Sequence, residues 1–387
     1  MKVLFVHDGP ILCNEAQNVF YGVHYRDEII ERYSFFGDKV SFLMRHKVVS
    51  DEDGKKYTKI SHPAFRFISV PNFKSISTMA LKAKAEDIIE NSVKSHDIIL
   101  LRLPSANGVL AYKYAKRFNK PIFVEVVACV YDALWNYDWR GKLLAGHKMK
   151  KYKNIIMNSS HVLYVTQNFL QERYPSKGKS IGCSDVLIKK MDESVIEQRL
   201  HNQENRKSLT LGTVAAIDVP YKGQAEVIKA IAELKKQNIL VRYKIVGQGS
   251  PKRLNNIIKT CGVEDLVDIV GPIKHDEVFK FIDGLDVYVQ PSKTEGLPRA
   301  VIEALSRGCP SIGSRAGGIP ELIQPELLFN PKSTSEIVEV IKKISNKDLQ
   351  KRISKENFEK AKEYQFEIIN ERRKSFYREF KDDYNLI

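Results

Sequence analysis

Short apolar runs alternate with longer amphipathic stretches along the first half of the chain: "VLFV" (3–6), "DIILL" (97–101), "IFVEVV" (122–127) and "HVLYV" (161–165). Short runs of this kind, bounded by polar residues, predict parallel strands covered on both faces, with the helical segments between them as crossovers. The rhythm restarts with "LTLGTV" (209–214), "VRYKIVG" (241–247), "VDIVG" (267–271), "DVYVQPS" (286–292) and "PSIGS" (310–314). Two α/β units follow, which suits a chain of 387 residues.

The polar, charged segment "KKMDESVIEQRLHNQENRKS" (189–208) separates the two sets and marks the interdomain connection. From Ser335 to Phe380 the pattern is helical, and it is too long for one element; a break is expected near Tyr364–Gln365. The predicted organisation is therefore 1–188, 189–363 and a terminal helix in 364–387. The stretch "RHKVVSDEDGKKYTKI" (45–60) alternates on either side of Asp-Gly and predicts a hairpin. Its Asp51-Glu52-Asp53 has the outline of a metal-binding D-x-D signature, but at a hydrophilic turn it reads as solvated.

Composition narrows the classes. With 43% hydrophobic and 28% charged residues the chain is globular, and its net charge of +15 points to an anionic partner. The basic residues are spread along the chain without a nucleic-acid module, so no nucleic acid is expected. Five scattered cysteines, none in a C-x-x-C pair, fit a reducing, cytoplasmic setting and no metal cage. The opening "MKVLFVHDG" is too short for a signal peptide, and nothing approaches a spanning segment, so any membrane association is expected to be peripheral. "VGQGSPKRL" supplies Gly247 and Gly249 without a third glycine, which sets a dehydrogenase aside.

The candidate chemistry gathers in "SKTEGLPRAVIEALSRGCPSIGSRAGGIPELI" (292–323). Glu295 follows a predicted strand, at the carboxyl end where open α/β sheets bind ligands. Gly296, Leu297, Pro298 and Arg299 lead into a helix closed by Gly308, and its first amides suit a phosphate. Glu303 lies roughly two turns from Glu295, so the pair can address different parts of one extended ligand. Two carboxylates at this spacing, taken alone, fit better as a solvated helix residue, Glu303, and a helix N-terminal charge, Glu295.

The surroundings decide between these. The run from Glu295 to Ile323, with its E-x(7)-E spacing, "EAL-x-x-G-x-P" and "GG-x-PE", closely resembles the signature of the retaining glycosyltransferases of family 4. "GTVAAIDVPYKGQAEVIKAIAEL" (212–234) resembles their phosphate-binding loop and "IVGQG" (245–249) their glycine-rich turn. The resemblance covers Leu209 to Ile323 strongly and the N-terminal half in outline. It implies a GT-B α/β fold: two Rossmann-like, doubly wound parallel-sheet domains facing across a cleft. The first would bind the acceptor, the second the nucleotide sugar, and the last helix would pack back on the first.

Carried onto this chain, the resemblance makes Glu295 and Lys222 the catalytic pair, Glu295 beside the donor sugar and Lys222 on the diphosphate leaving group. Glu303 would hold the ribose hydroxyls, and Gly271, Pro272 and Ile273 would lie by the base. Gly247, Gly296, Leu297, Pro298, Arg299, Gly317 and Gly318 would complete the donor site. The implied reaction moves a hexose-type sugar, with retention, from a nucleotide diphosphate sugar to a saccharide or lipid-linked saccharide, in cell-surface polysaccharide biosynthesis. No metal or other cofactor is implied, and no protein general base. The alternative is a GT-B nucleotide-sugar hydrolase, phosphorylase or epimerase.

The chain departs from the family in places. The usual Gly-Arg is Gly212-Thr213, which removes a second cation from that place and makes Arg299 a candidate substitute. Where many members have a histidine after the fourth strand, this chain has Val127, and neither His7 nor His24 is a convincing replacement. The first loop, "HDGPILCNEAQNVFYG" (7–22), lacks a Gly-Gly pair; Gly9 and Pro10, ahead of an expected helix start, offer one close approach to a phosphate or acceptor. Tyr131 and Trp135 are acceptor-side aromatics able to stack on sugar rings. The basic, apolar segment "DWRGKLLAGHKMKKYK" (138–153) reads either as a contact with an anionic membrane, at its cytoplasmic face, or as a solvated basic helix.

Overall fold

A computed structural model describes residues 1–22, 25–54, 57–74, 76–186, 188, 191–205 and 208–386. Among these the strands form two sheets. The first contains β1 (Lys2–Asn14), β2 (Val19–Gly22), β3 (Lys39–Val48), β4 (Thr58–Lys59), β5 (Phe65–Ser69), β6 (Ile98–Leu103), β7 (Ile122–Val126), β8 (His161–Tyr164) and β9 (Lys179–Gly182). The second contains β10 (Leu209–Val214), β11 (Val241–Val246), β12 (Val267–Gly271), β13 (Val287–Gln290), β14 (Ser311–Ser314) and β15 (Leu328–Phe329).

Both sheets are doubly wound. Parallel pairing gives the path β5-β3-β1-β6-β7-β8-β9 in the first and β12-β11-β10-β13-β14-β15 in the second. The strand order reverses between β1 and β6 and between β10 and β13, and these two points are where each sheet opens a crevice. The strands beside them are buried on both faces: Val3 to Val6, Ile98 to Leu101 and Val287 to Val289 are at most 1% exposed. That burial is why the apolar runs are continuous instead of alternating.

Two expectations need correction. Residues 7–22 are not a strand-to-helix loop. Strand β1 runs on through Gly9 and Pro10, because Ile11, Leu12 and Cys13 are apolar and bury against the sheet, and a register shift against β3 between Val6 and Pro10 absorbs the Gly-Pro pair. The chain then turns back through β2, antiparallel to β1, so no helix start follows Gly9 or Pro10.

Nor do the described residues of 45–60 form a hairpin. Asp51–Gly54 is a helical turn capped by Ser50, whose hydroxyl accepts from the Asp53 amide at 3.2 Å, and β4 pairs with β2 rather than β3. The acidic run is tied into this turn, with Asp51 accepting from Gln17 at 2.9 Å. The segment 189–208 contains a helix, Ser194–Asn205, which belongs with the second sheet: Gln203 donates to Ser354 on the Lys347–Lys362 helix at 2.8 Å.

The last helix, Phe366–Asp383, crosses back to the first sheet. Phe376, Tyr377 and Phe380 are at most 3% exposed and pack edge-on against Phe123 of β7. Beneath them lies a buried polar network. Asp185 takes the guanidinium of Arg32 at 2.9 Å and that of Arg102, while Glu125 takes Arg102 at 2.8 Å and the Tyr33 hydroxyl at 2.7 Å. The chain crosses between the sheets twice, and the crossings touch: Ile188 and Gln365 form a parallel bridge, and the Phe366 amide donates to the Ile188 carbonyl at 2.8 Å.

Candidate functional site

Two loops at the β10/β13 reversal bring the predicted catalytic pair together. After β10 the chain makes a tight turn, Pro220–Lys222, and Gly223 follows at φ +79°. A Cβ on Gly223 would fall 2.0 Å from the Pro291 carbonyl oxygen, so only glycine lets this turn lie against the end of β13. The Lys293 amide donates to the Tyr221 carbonyl at 2.7 Å and locks the two loops. Lys222 Nζ then reaches Glu295 Oε1 at 2.6 Å.

Glu295 is held from a second side. Gln290 Nε2, at the end of β13, donates to Glu295 Oε1 at 3.0 Å and to Ser292 Oγ at 2.9 Å. Gln290 is in turn fixed by the Tyr288 hydroxyl at 3.0 Å. Burial, and then the charges of Glu303 and Glu295, push the Tyr288 phenol well above its ordinary range. Glu303 stands half-buried in the Arg299–Ser306 helix that follows.

The glycines mark where backbones touch. Gly317, at φ +58°, lies against the Glu295 backbone, and the Gly318 amide donates to the Gly296 carbonyl at 2.8 Å. A Cβ on Gly247 would meet the Ala215 carbonyl oxygen at 1.8 Å, and the Gly247 amide donates to the Gly271 carbonyl at 3.0 Å. Pro272 is exposed and Ile273 half-buried just beyond. The donor residues expected from sequence thus share one rim of the second sheet. Pro298 is buried at the helix start, and Arg299 is exposed on its first turn.

The same rim meets the first domain. A Cβ on Gly296 would fall 2.1 Å from the Val127 carbonyl oxygen at the end of β7, and Leu297 packs into the apolar clusters of both domains. Glu321 reaches across to accept from the amides of Gln167, Asn168 and Phe169 at 2.7 to 3.0 Å, and the Asn136 side chain donates to the Lys293 carbonyl at 3.3 Å. Beside this junction is a cavity of about 520 Å³ walled by Trp135, Asn136, Lys293, Gly317 and Lys332. Tyr131 and Trp135 stack at 5.4 Å, and Trp135 is 42% exposed toward it.

Other expectations fare differently. Thr213 is fully buried inside β10, with its hydroxyl donating to the Val289 carbonyl at 2.7 Å and accepting from Tyr243 at 2.8 Å. A cation at that place would be trapped within the sheet, so position 213 is not a vacated phosphate contact. Arg253, half-buried and bonded to the Ile217 carbonyl at 3.3 Å, stands nearer the loop after β10 and was not singled out in the sequence.

His7 is structural: its Nδ1 accepts from the Gly9 amide at 3.0 Å and faces the Tyr25 hydroxyl at 2.7 Å. Burial, with the nearby Arg102 charge, pushes its pKa down to about 3. His24 lies outside the described residues. Gln290 and Glu321 were also missed: the grip of Gln290 depends on where strand β13 ends, and the partners of Glu321 lie far along the chain.

Comparison with known proteins bears on this arrangement. The family profile for glycosyl transferases group 1 matches residues 194–361. Protein CapJ of Staphylococcus aureus is 31% identical over 361 residues, covering 92% of this chain and 89% of CapJ. The amylovoran biosynthesis glycosyltransferase AmsK of Erwinia amylovora is 36% identical over 110 residues, 27% of each chain. Among solved structures, Anabaena HepE in complex with UDP-glucose superposes with a TM-score of 0.66 at 16% identity, over 98% of this chain and 100% of that one.

Proposed function

The chain belongs to the group 1 glycosyltransferase family, with the GT-B fold, and from that premise we propose that it transfers a hexose-type sugar with retention of configuration. Relatives in the family act in polysaccharide biosynthesis, and we place this chain in the assembly of a cell-surface polysaccharide. The observation that carries the reading is the meeting of Lys222 and Glu295 at 2.6 Å at the second domain's crevice, with Glu303 on the helix that follows.

The chemistry follows from charge. Breaking the bond between the sugar and the diphosphate builds positive charge on the sugar and negative charge on the departing phosphate. Lys222 supplies a compact cation for the phosphate, and Glu295, steadied by Gln290, faces the sugar. Lys222 neutralises Glu295, and a diphosphate would compete for the same ammonium. The acceptor hydroxyl adds to the face that the phosphate leaves and passes its proton to the departing phosphate oxygen. With Lys222 and the helix amides on the phosphates, the reaction is proposed to need no metal.

The donor is a nucleotide diphosphate sugar, and HepE, solved with UDP-glucose, makes uridine the first base to screen. The acceptor, a saccharide or lipid-linked saccharide, is assigned to the first domain, with Trp135 as a stacking face. Tyr137, Trp139 and Leu143 are 66 to 76% exposed on the Trp139–Met157 helix and its approach, amid Lys142, Lys148 and Lys150. We assign this patch to peripheral contact with an anionic membrane, at its cytoplasmic face. Among the described residues no helix is long and apolar enough to cross a membrane.

A thermal-shift screen against UDP, GDP, ADP and CMP in the presence of EDTA tests the donor site, because a ligand bound only to the folded state raises the melting point. A shift with one nucleotide, kept in EDTA and lost in Glu303→Ala, is the expected result. No shift with any of them in a well-folded sample would refute the assignment.

A further inference from the structure

The first domain's own crevice, where β1 and β6 diverge, is already filled by an anion from the chain. Asp8 accepts from the Ala106 and Asn107 amides at 2.7 and 3.0 Å, at the start of the Ala106–Arg117 helix, and from the Ser105 hydroxyl at 2.9 Å. It is also paired with Lys74. The position where a doubly wound sheet would take a phosphate is therefore satisfied internally.

Just outside it, cations are left over. The continuation of β1 past Pro10 pairs with the end of β3, which places Arg45 opposite Pro10 and Lys47 opposite Leu12. A groove of about 750 Å³ opens there, walled by Pro10, Arg45, Lys47, Asn72 and Lys84, and among the described residues no carboxylate lines it. Arg45 Nε is anchored on the Asp8 carbonyl at 2.7 Å, which fixes the guanidinium at the groove wall. The side chains of Lys47 and Lys84 make no ion pair with any described residue. A concave site with three such cations and no acid is built for a multiply charged anion.

Its surroundings say which kind. The groove lies three strands from the Gly296–Val127 contact along the path β3-β1-β6-β7, about 14 Å at sheet spacing. That separation leaves room for sugar units between the reacting hydroxyl and a charged group. Between the groove wall at Asn72 and Lys84 runs the turn Ile76–Leu81, on which Met79 and Leu81 are 62% and 41% exposed. Cationic pocket and exposed apolar rim thus adjoin, as a head group attached to a lipid would require.

We propose that this groove binds the phosphate or diphosphate group of the acceptor, through Arg45, Lys47 and Lys84. The proposal rests on the reading of the first domain as the acceptor domain. It predicts that the acceptor is a phosphorylated saccharide, with the diphosphate held remote from the reacting hydroxyl.

The test is calorimetric binding of inorganic pyrophosphate and of farnesyl diphosphate to the full chain, to a Lys47→Gln/Lys84→Gln variant and to Lys222→Ala. The expected result is a loss of roughly tenfold or more in affinity for both probes in the double variant, and retained affinity in Lys222→Ala. Tighter binding of farnesyl diphosphate than of pyrophosphate assigns the group to a lipid-linked acceptor; equal binding assigns it to the diphosphate alone.

Loss confined to Lys222→Ala would place the diphosphate only in the donor crevice and overturn the proposal while leaving the transferase reading intact. No binding to the native chain would overturn it as well. Groove binding without any nucleotide-induced thermal shift would instead sink the transferase reading and leave the groove standing. Lys47→Glu/Lys84→Glu, which leaves Arg45 in place, should abolish binding without altering the melting point, since both lysines are exposed.

Discussion

Gly296→Ala tests whether the touching domains represent the reacting arrangement. The added methyl would lie 2.1 Å from the Val127 carbonyl oxygen and 3.2 Å from its carbon, atoms of the opposite domain. Ordinary carbon contacts need well over 3 Å, so the domains must part by about 1 Å at this point. Leu297, wedged between both apolar clusters, would move with them. Misplacing reacting groups by about 1 Å costs on the order of 100-fold in rate, about 2.7 kcal/mol.

The assay is steady-state transfer, once a donor and acceptor pair is identified, beside nucleotide binding to the same protein. Expected are a fall of about 100-fold in kcat/KM and nucleotide affinity within a few-fold of native. Gly146→Ala serves as a control: its Cβ would meet nothing within 4 Å on the Trp139–Met157 helix, so stability should rise by up to about 1 kcal/mol with activity unchanged. Native turnover in Gly296→Ala would refute the closed contact as the reacting geometry. A loss of nucleotide affinity as large as the loss of turnover would refute a mechanism acting through the domain junction.

Asp185→Asn leaves Arg32 and Arg102 facing an uncharged group and should cost roughly 3–5 kcal/mol in urea unfolding. Burial alone would raise the Asp185 carboxyl, but Arg102, Arg32 and Arg373 hold it far below the usual carboxylate range, so its contribution is present at neutral pH and fades as pH falls below about 4. His7 acts over a different window: the unfolded chain takes up its proton near 6.5 while the folded form resists until about 3, so stability falls as pH drops through that interval. His7→Gln should flatten that part of a melting-temperature profile. Removing the residues after Glu363 takes Phe376, Tyr377 and Phe380 from Phe123 and should lower the first domain's melting point; a truncated chain melting like the full one would count against the packing described.

The second domain was the more legible in sequence. Strands β10 to β14 fall where the apolar runs place them, because parallel strands buried on both faces leave uninterrupted runs and end in glycine-rich turns. The first domain hides more. The core of β3, residues 40–44, is just such a run, but the Asp-Gly beyond it suggested a hairpin that the Ser50 cap converts into a helical turn. Edge strand β5 is short and half-exposed, and Gly9-Pro10 looks like a turn although the sheet accommodates it by slipping register.

At the site, the spacing of Glu295 and Glu303 was visible because both lie on one local segment. The grip of Gln290 on Glu295 follows from strand β13 and could be inferred only once that strand's end was fixed. Glu321's bonds to residues 167–169 span about 150 positions, and no local pattern announces them.

The bridge between Ile188 and Gln365 has a kinematic consequence. A body joined to another by one strand can swivel about any direction; joined by two strands that touch, it shares two neighbouring pivots, and two pivots define a line. Rotation about that line remains easy, while twisting across it strains both strands at once. The lips of the crevice, Val127 on one side and Gly296 on the other, therefore approach and separate along a single arc, and each return brings the same atoms face to face.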